Sequence, residues 1–214
     1  IAQKTPLAKQ LLAKLNEKYQ YASVLITDNY EKGYRASRSG VAISATNAFG
    51  GKGMIVKVYD GKGYAEYSTN EITAENLPEI EREIEQQLMN PANFIPEGTE
   101  EAEYKCISDE PCTLCEATNY EIHPREVGDE KLIETVTALR EKAVKADERI
   151  LDAITGFSYQ EYHKLFLSAN RELEQSVLYS TGIMALVAAK GEEIKQSFRG
   201  FSNLGGAELL DKME

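Results

Sequence analysis

The spacing of apolar residues switches repeatedly between two periods along this chain, and that switching limits the folds open to it. Leu7, Leu11, Leu12 and Leu15 recur at helical spacing. They follow Thr5-Pro6, which reads as an N-cap with proline at the first helical position. From Tyr21 the period drops to two: Ala22, Val24 and Ile26 alternate with polar neighbours, as do Val41, Ile43 and Ala45, and then Met54, Val56 and Val58. A helix with one apolar stripe and a sheet with one apolar face can each leave water only by covering the other. Asp60-Gly61-Lys62-Gly63 supplies the backbone freedom of a tight hairpin, returning the chain through Tyr64-Ala65-Glu66-Tyr67. Asn76 with Glu79 predicts a capping box ahead of Ile80, Ile84 and Leu88.

The second half repeats this order. Leu132, Val136, Leu139, Ala143, Ala146 and Ile150 form one helical stripe. Strands are expected at about Tyr159 to Ser168, Glu172 to Ser180, Ile183 to Ala189 and Ile194 to Arg199, with Lys190-Gly191-Glu192 as a turn. The expected fold class is therefore α+β: two helix-plus-antiparallel-sheet units, residues 1–90 and 129–214, joined by an acidic cysteine-bearing insertion at 91–128. The helix stripes should face sheet residues such as Val24, Ile26, Val56, Leu165, Leu178 and Leu186. Short turns favour antiparallel neighbours, because parallel strands need long crossovers.

Charge is distributed unevenly. The 214 residues carry a formal charge of -11, and between Glu97 and Glu134 twelve acidic residues face only Lys105, Arg125 and Lys131, so nine of the eleven net negative charges lie there. Nucleic acid and anionic membrane are excluded as partners by repulsion, and the insertion should be the least packed region. No run approaches the roughly 18 to 20 apolar residues of a membrane span, and the opening residues lack a signal peptide's apolar core. A cytoplasmic protein with reduced cysteines is the expectation.

Candidate chemistry is sparse. His123 and His163 are the only histidines, and neither belongs to a His-Glu-x-x-His helix. His163 reads as a sheet-surface residue sharing a face with Tyr159, Glu161 and Leu165. Cys112-Thr113-Leu114-Cys115 has the spacing that lets two thiolates grip zinc, with Cys106 and His123 available to complete a tetrahedral set. The competing reading is an exposed acidic loop, since a second CxxC is absent. No Gly-x-Ser-x-Gly nucleophile is present, and Gly50-Gly51-Lys52-Gly53 leads into a strand rather than a phosphate-holding helix. Arg35 and Arg38 read as solvated. The residues thus assign no catalytic and no cofactor-binding role.

Several local sequences resemble the TldD/PmbA family, metallopeptidases first described as modulators of DNA gyrase. The resemblance rests on Tyr21-Ala22-Ser23-Val24, on Gly40-Val41-Ala42-Ile43-Ser44, and on the run from Gly53 to Ser68 with its Asp60-Gly61 turn. Glu174-Gln175-Ser176, Ser180-Thr181-Gly182, Gly191 and Gly205-Gly206-Ala207-Glu208 add to it. It implies an amino-terminal, non-catalytic domain shaping a cleft for unfolded peptide or protein substrates. The family's His-Glu-x-x-x-His zinc motif would then lie beyond Glu214, with zinc in that other half if the parent is TldD-like. A PmbA-like parent resembles an inactive partner of the TldD-like subunit. A homodimer, or a heterodimer with a related subunit, is implied for the full-length protein. Two other readings stay open: a freestanding binding or assembly protein whose acidic segment attracts a basic partner, and a regulatory domain organised by zinc on Cys106, Cys112, Cys115 and His123.

Overall fold

The computed structural model describes residues 1–45, 51–89 and 104–214. In chain order the elements are α1 (Thr5–Lys18), β1 (Tyr21–Ser37), β2 (Gly40–Ala45), β3 (Lys52–Tyr59), β4 (Tyr64–Thr69), α2 (Leu77–Met89), β5 (Cys112–Ala117), α3 (Pro124–Val127), α4 (Asp129–Lys145), β6 (Ile150–Ser168), β7 (Arg171–Lys190) and β8 (Glu193–Leu204), followed by a 3-10 helix, Ala207–Met213. The fold is α+β, as the two periods predict. Its eight strands form one sheet in the order β4-β3-β1-β6-β7-β5, with β2 added to β1 and β8 to β7. The pairs β1–β2, β1–β3, β3–β4 and β7–β8 are all antiparallel.

Two compact units divide the chain: Ile1–Asp28, Ala48–Glu116 and His163–Gln175 in one, Asn29–Asn47, Ala117–Tyr162 and Ser176–Glu214 in the other. They are interleaved in sequence because β1, β6 and β7 are long enough, at 17, 19 and 20 residues, for each to supply a segment to both. In the first unit, Leu11 and Leu15 of α1 and Ile80 and Ile84 of α2 share a core with Val24, Val56 and Val58. Burying each such side chain contributes roughly 1.5–3 kcal/mol. In the second unit, Leu132, Val136 and Leu139 of α4 pack with Phe157, Tyr159, Leu178, Leu209 and Met213. Leu165 belongs to the first core, not to the core of α4, and Leu186 of β7 belongs to neither.

Local details depart from the pattern in informative ways. Thr5 does not cap α1: it lies inside the helix, and its hydroxyl donates to the Ile1 carbonyl at 3.3 Å. The capping box ahead of α2 sits three residues earlier than expected. Thr73 N donates to Asn76 Oδ1 at 2.8 Å and Asn76 N to Thr73 Oγ1 at 3.3 Å, so Asn76 is the third residue of that turn and not its cap. The stripe of α4 ends with the helix at Lys145, and Ile150 opens β6.

The break expected between Ser180 and Ile183 does not occur, because β7 runs unbroken from Arg171 to Lys190. Gly182 is there for lack of bulk, since a Cβ on it would overlap Met213 Sδ. The turns expected at Gly61 and Gly191 do form, with these glycines at positive φ, 101° and 61°.

The described part of the insertion, residues 104–128, is largely exposed but tethered. Tyr59 Oη donates to the Tyr104 carbonyl at 2.6 Å, and Tyr64 Oη to the Lys105 carbonyl at 2.8 Å. Asp109 accepts from Asn170 N at 3.1 Å, Ser168 Oγ also bonds to it, and Arg171 Nε lies 3.6 Å away. Like-charge repulsion is therefore offset by local partners. The segment also contributes β5. Cys112 N donates to Asn170 O and Thr118 N to Ser176 O, so both strands advance together and β5 lies parallel to β7. The long crossover such a pair needs is present, through α3, α4 and β6. No helix among the described residues is long and apolar enough to cross a membrane.

Candidate functional site

In the second unit α4 and the 3-10 helix share one core with Phe157 and Tyr159, and Thr155 on the same side of β6 donates to the Val136 carbonyl at 2.6 Å. Alternation therefore turns Gly156 and Ser158 to the opposite face. There Ser158 Oγ lies 2.6 Å from Thr181 Oγ1, and a Cβ on Gly156 would come within 2.9 Å of Ile183 Cγ2. Small residues let the strands close up on this face.

β2 lies at one edge of this unit's sheet, and among the described residues it pairs only with β1. The hairpin has two turn residues, Arg38 and Ser39, between Ser37 and Gly40, with Gly40 at φ 119°. In such a hairpin the closing pair is hydrogen-bonded, and alternate residues after it point their amide and carbonyl groups away from the partner strand. Val41, Ile43 and Ala45 thus offer backbone donors and acceptors on the open side. Val41 and Ile43 are 46% and 48% exposed, and no residue from Gly40 to Ala45 is charged. An open, uncharged edge can take up an extended chain through its backbone, with little regard to side chains. Arg35 and Arg38 are exposed near this edge, as expected for solvated residues.

A polar cluster that the sequence did not disclose forms around Glu161. His123 caps α3, its Nδ1 accepting from Arg125 N at 3.2 Å, while its Nε2 lies 3.7 Å from Glu161 Oε1. Arg125 Nε donates to the same Glu161 oxygen at 2.7 Å, and its guanidinium lies over the Tyr30 ring, 4.4 Å from the centroid. Only 10% of the Glu161 side chain is exposed, against 53% for Arg125. Burial opposes the charge on Arg125, yet the neighbouring Glu161 carboxylate leaves its pKa raised overall.

Nearby, Tyr34 Oη donates to Asp129 Oδ1 at 2.7 Å and Lys32 Nζ to Oδ2 at 2.6 Å. Lys32 and then Tyr34 hold the Asp129 carboxyl below its ordinary range. Burial, followed by the bond to Asp129, pushes the Tyr34 phenol far up. Each carboxylate is thus satisfied by a cation, and the cluster pins α3 and the start of α4 to the sheet. It exposes neither a free base nor an activated nucleophile.

The four residues considered for zinc are not assembled. Cys112 and Cys115 lie on β5, where an odd spacing places them on opposite faces of the strand. Cys106 lies in the preceding segment, with its Sγ 3.6 Å from the Ile107 carbonyl. All three thiols are exposed, and His123 is engaged with Arg125 and Glu161. Among the described residues no group of three or more His, Cys, Asp or Glu side chains is placed to hold a metal ion. His163 is half-buried on β6, between the buried Glu161 and Leu165.

No protein-family model matches the sequence, and no curated protein matches it. Solved structures do. The chain superposes over 96% of its length on a candidate modulator of DNA gyrase from Bacteroides thetaiotaomicron, with TM-score 0.65 and 17% identity. It matches a second candidate modulator of a DNA gyrase, from Thermotoga maritima, over 95% of its length at TM-score 0.69 and 12% identity. TldE from Thermococcus kodakarensis matches over 97% at TM-score 0.66, again with 12% identity. At these identities the likeness establishes the fold, which is the fold the TldD/PmbA resemblance implies. The chain spans about half of each, 46%, 44% and 46% of their lengths.

Proposed function

We propose that this chain is the amino-terminal, non-catalytic half of a cytoplasmic metallopeptidase of the TldD/PmbA type, and that it shapes a cleft for unfolded peptide substrates. The observation that carries the reading is the fold likeness over nearly the whole chain to proteins about twice its length. The open β2 edge gives the chain a role of its own. Outward backbone groups of Val41, Ile43 and Ala45 bind an extended segment by main-chain hydrogen bonds, which suits a substrate that is unstructured and varied in sequence.

Ile43→Pro tests this directly. It removes an amide on the open side of β2 and none that pairs with β1. Binding of a fluorescent, unstructured peptide to the 214-residue chain should weaken at least about tenfold, with the circular dichroism spectrum unchanged. Unaltered binding by a folded Ile43→Pro variant refutes the role of β2. Zinc-dependent, chelator-sensitive cleavage of the peptide by this chain alone refutes the non-catalytic assignment.

A further inference from the structure

The opposite side of the second unit's sheet ends in β8, which among the described residues pairs only with β7. Its closing turn is Gly191-Glu192, between Lys190 and Glu193, so the same hairpin rule applies. Odd-numbered residues of β8 bond to β7, and Ile194, Gln196 and Phe198 direct their amides and carbonyls outward. This edge differs from β2. Ile194 and Phe198 are 64% and 69% exposed and lie on one face. Glu193, Lys195 and Arg199 lie on the other.

Charges on an edge strand ordinarily prevent pairing with other chains. Here their order makes one pairing favourable. If two copies of β8 meet antiparallel about a two-fold axis through Gln196, Glu193 of each stands opposite Arg199 of the other. In the same register Ile194 stands opposite Phe198, Lys195 opposite Ser197, and Gln196 opposite itself. Every residue with outward backbone groups then meets another, which the antiparallel ladder requires. An axis through Lys195, Ser197 or Arg199 sets cations against cations, and one through Phe198 leaves Glu193, Lys195 and Arg199 opposite uncharged residues. An axis through Ile194 also sets Glu193 against Lys195 and Ile194 against itself, but it leaves Phe198 beyond the partner's turn; the Gln196 register alone pairs both Ile194 and Phe198 with apolar residues while matching opposite charges.

We infer that β8 is a self-complementary interface, through which two copies of this chain join their sheets edge to edge by antiparallel pairing of Glu193 to Arg199. The arrangement is isologous, the usual geometry of a closed homodimer. It removes two exposed isoleucines and two exposed phenylalanines from water as cross-strand pairs. It places two ion pairs on the opposite face, and it occupies backbone groups that otherwise face solvent.

Sedimentation equilibrium of the 214-residue chain, over a range of concentrations and at low salt, should show a monomer–dimer equilibrium. Glu193→Arg and Arg199→Glu should each weaken the dimer by about tenfold or more, because each turns both cross-strand ion pairs into repulsions. The double variant Glu193→Arg/Arg199→Glu should restore affinity to within about threefold of the original, since the same pairs re-form with signs exchanged. All these positions are exposed, and circular dichroism checks that each variant is folded. A folded chain that stays monomeric at all concentrations overturns the proposal. So does a dimer indifferent to both single changes, or one that the double exchange does not restore.

Discussion

Leu11 tests the packing argument most sharply. It is wholly buried, on the stripe of α1 that also carries Ala8, Leu12 and Leu15, and it shares a core with Val24, Val56, Ile80 and Ile84. Leu11→Ala removes the transfer free energy of the deleted atoms and leaves a cavity lined by side chains from two helices and the sheet. Such changes cost about 2–5 kcal/mol, and with neighbours on several elements the middle of that range, about 3 kcal/mol, is expected. For a chain of this size that corresponds to a fall in Tm of about 6–12 °C. Gln10→Ala is the control, one residue away and exposed, and should change stability by no more than about 0.5 kcal/mol. Lys14 is no such control, because its ammonium lies 2.7 Å from Glu81 Oε1, on a side chain only 16% exposed. Urea unfolding followed by circular dichroism measures all of these. If Leu11→Ala costs less than about 1 kcal/mol, or no more than Gln10→Ala, then α1 does not gain its stability from covering the sheet.

Arg125→Ala should destabilise the second unit by about 1–3 kcal/mol, since it strips the nearly buried Glu161 of its closest cation while the exposure of Arg125 itself limits the loss. Adding Glu161→Gln should recover much of it, and failure to recover, in chemical denaturation, refutes the pairing. Asp129 has a folded pKa below its unfolded value, so its contribution is present above about pH 4 and is lost as the pH falls through the folded pKa. Asp129→Asn should therefore lower the Tm near neutrality, by a difference that shrinks as the pH falls through the folded pKa of Asp129, and an equal loss at all pH values would contradict this. All three cysteines should react quickly with a thiol reagent in the native chain, at rates that added zinc leaves unchanged. Protection by zinc would instead favour a metal-organised insertion.

The elements themselves were legible in the sequence because their signals are local. Helical spacing in Leu7 to Leu15 and Leu132 to Leu139, alternation around Val24, Val56 and Leu165, and glycine at Gly61 and Gly191 each reflect a geometry that a few consecutive residues impose. Misreadings arose where local cues admit two structures. Gly182 looks like a turn residue until Met213, distant in sequence, is placed against it. Ile150 continues the helical stripe in spacing but opens a strand.

Only tertiary structure could decide what depends on residues far apart in the chain. Glu161 meets Arg125 across 36 positions, and Asp129 meets Lys32 across 97, so neither partnership leaves a mark in any short window. The cysteine spacing suggested a metal site, but a strand sends Cys112 and Cys115 to opposite sides whereas a tight turn would have brought them together. That the strands of both units join in one sheet left no local mark either, because nothing within a short window sets the lengths of β1, β6 and β7. Periodicity records which face of an element is apolar, while the element opposite it, and which edges are left unpaired, follow from the arrangement of the whole chain.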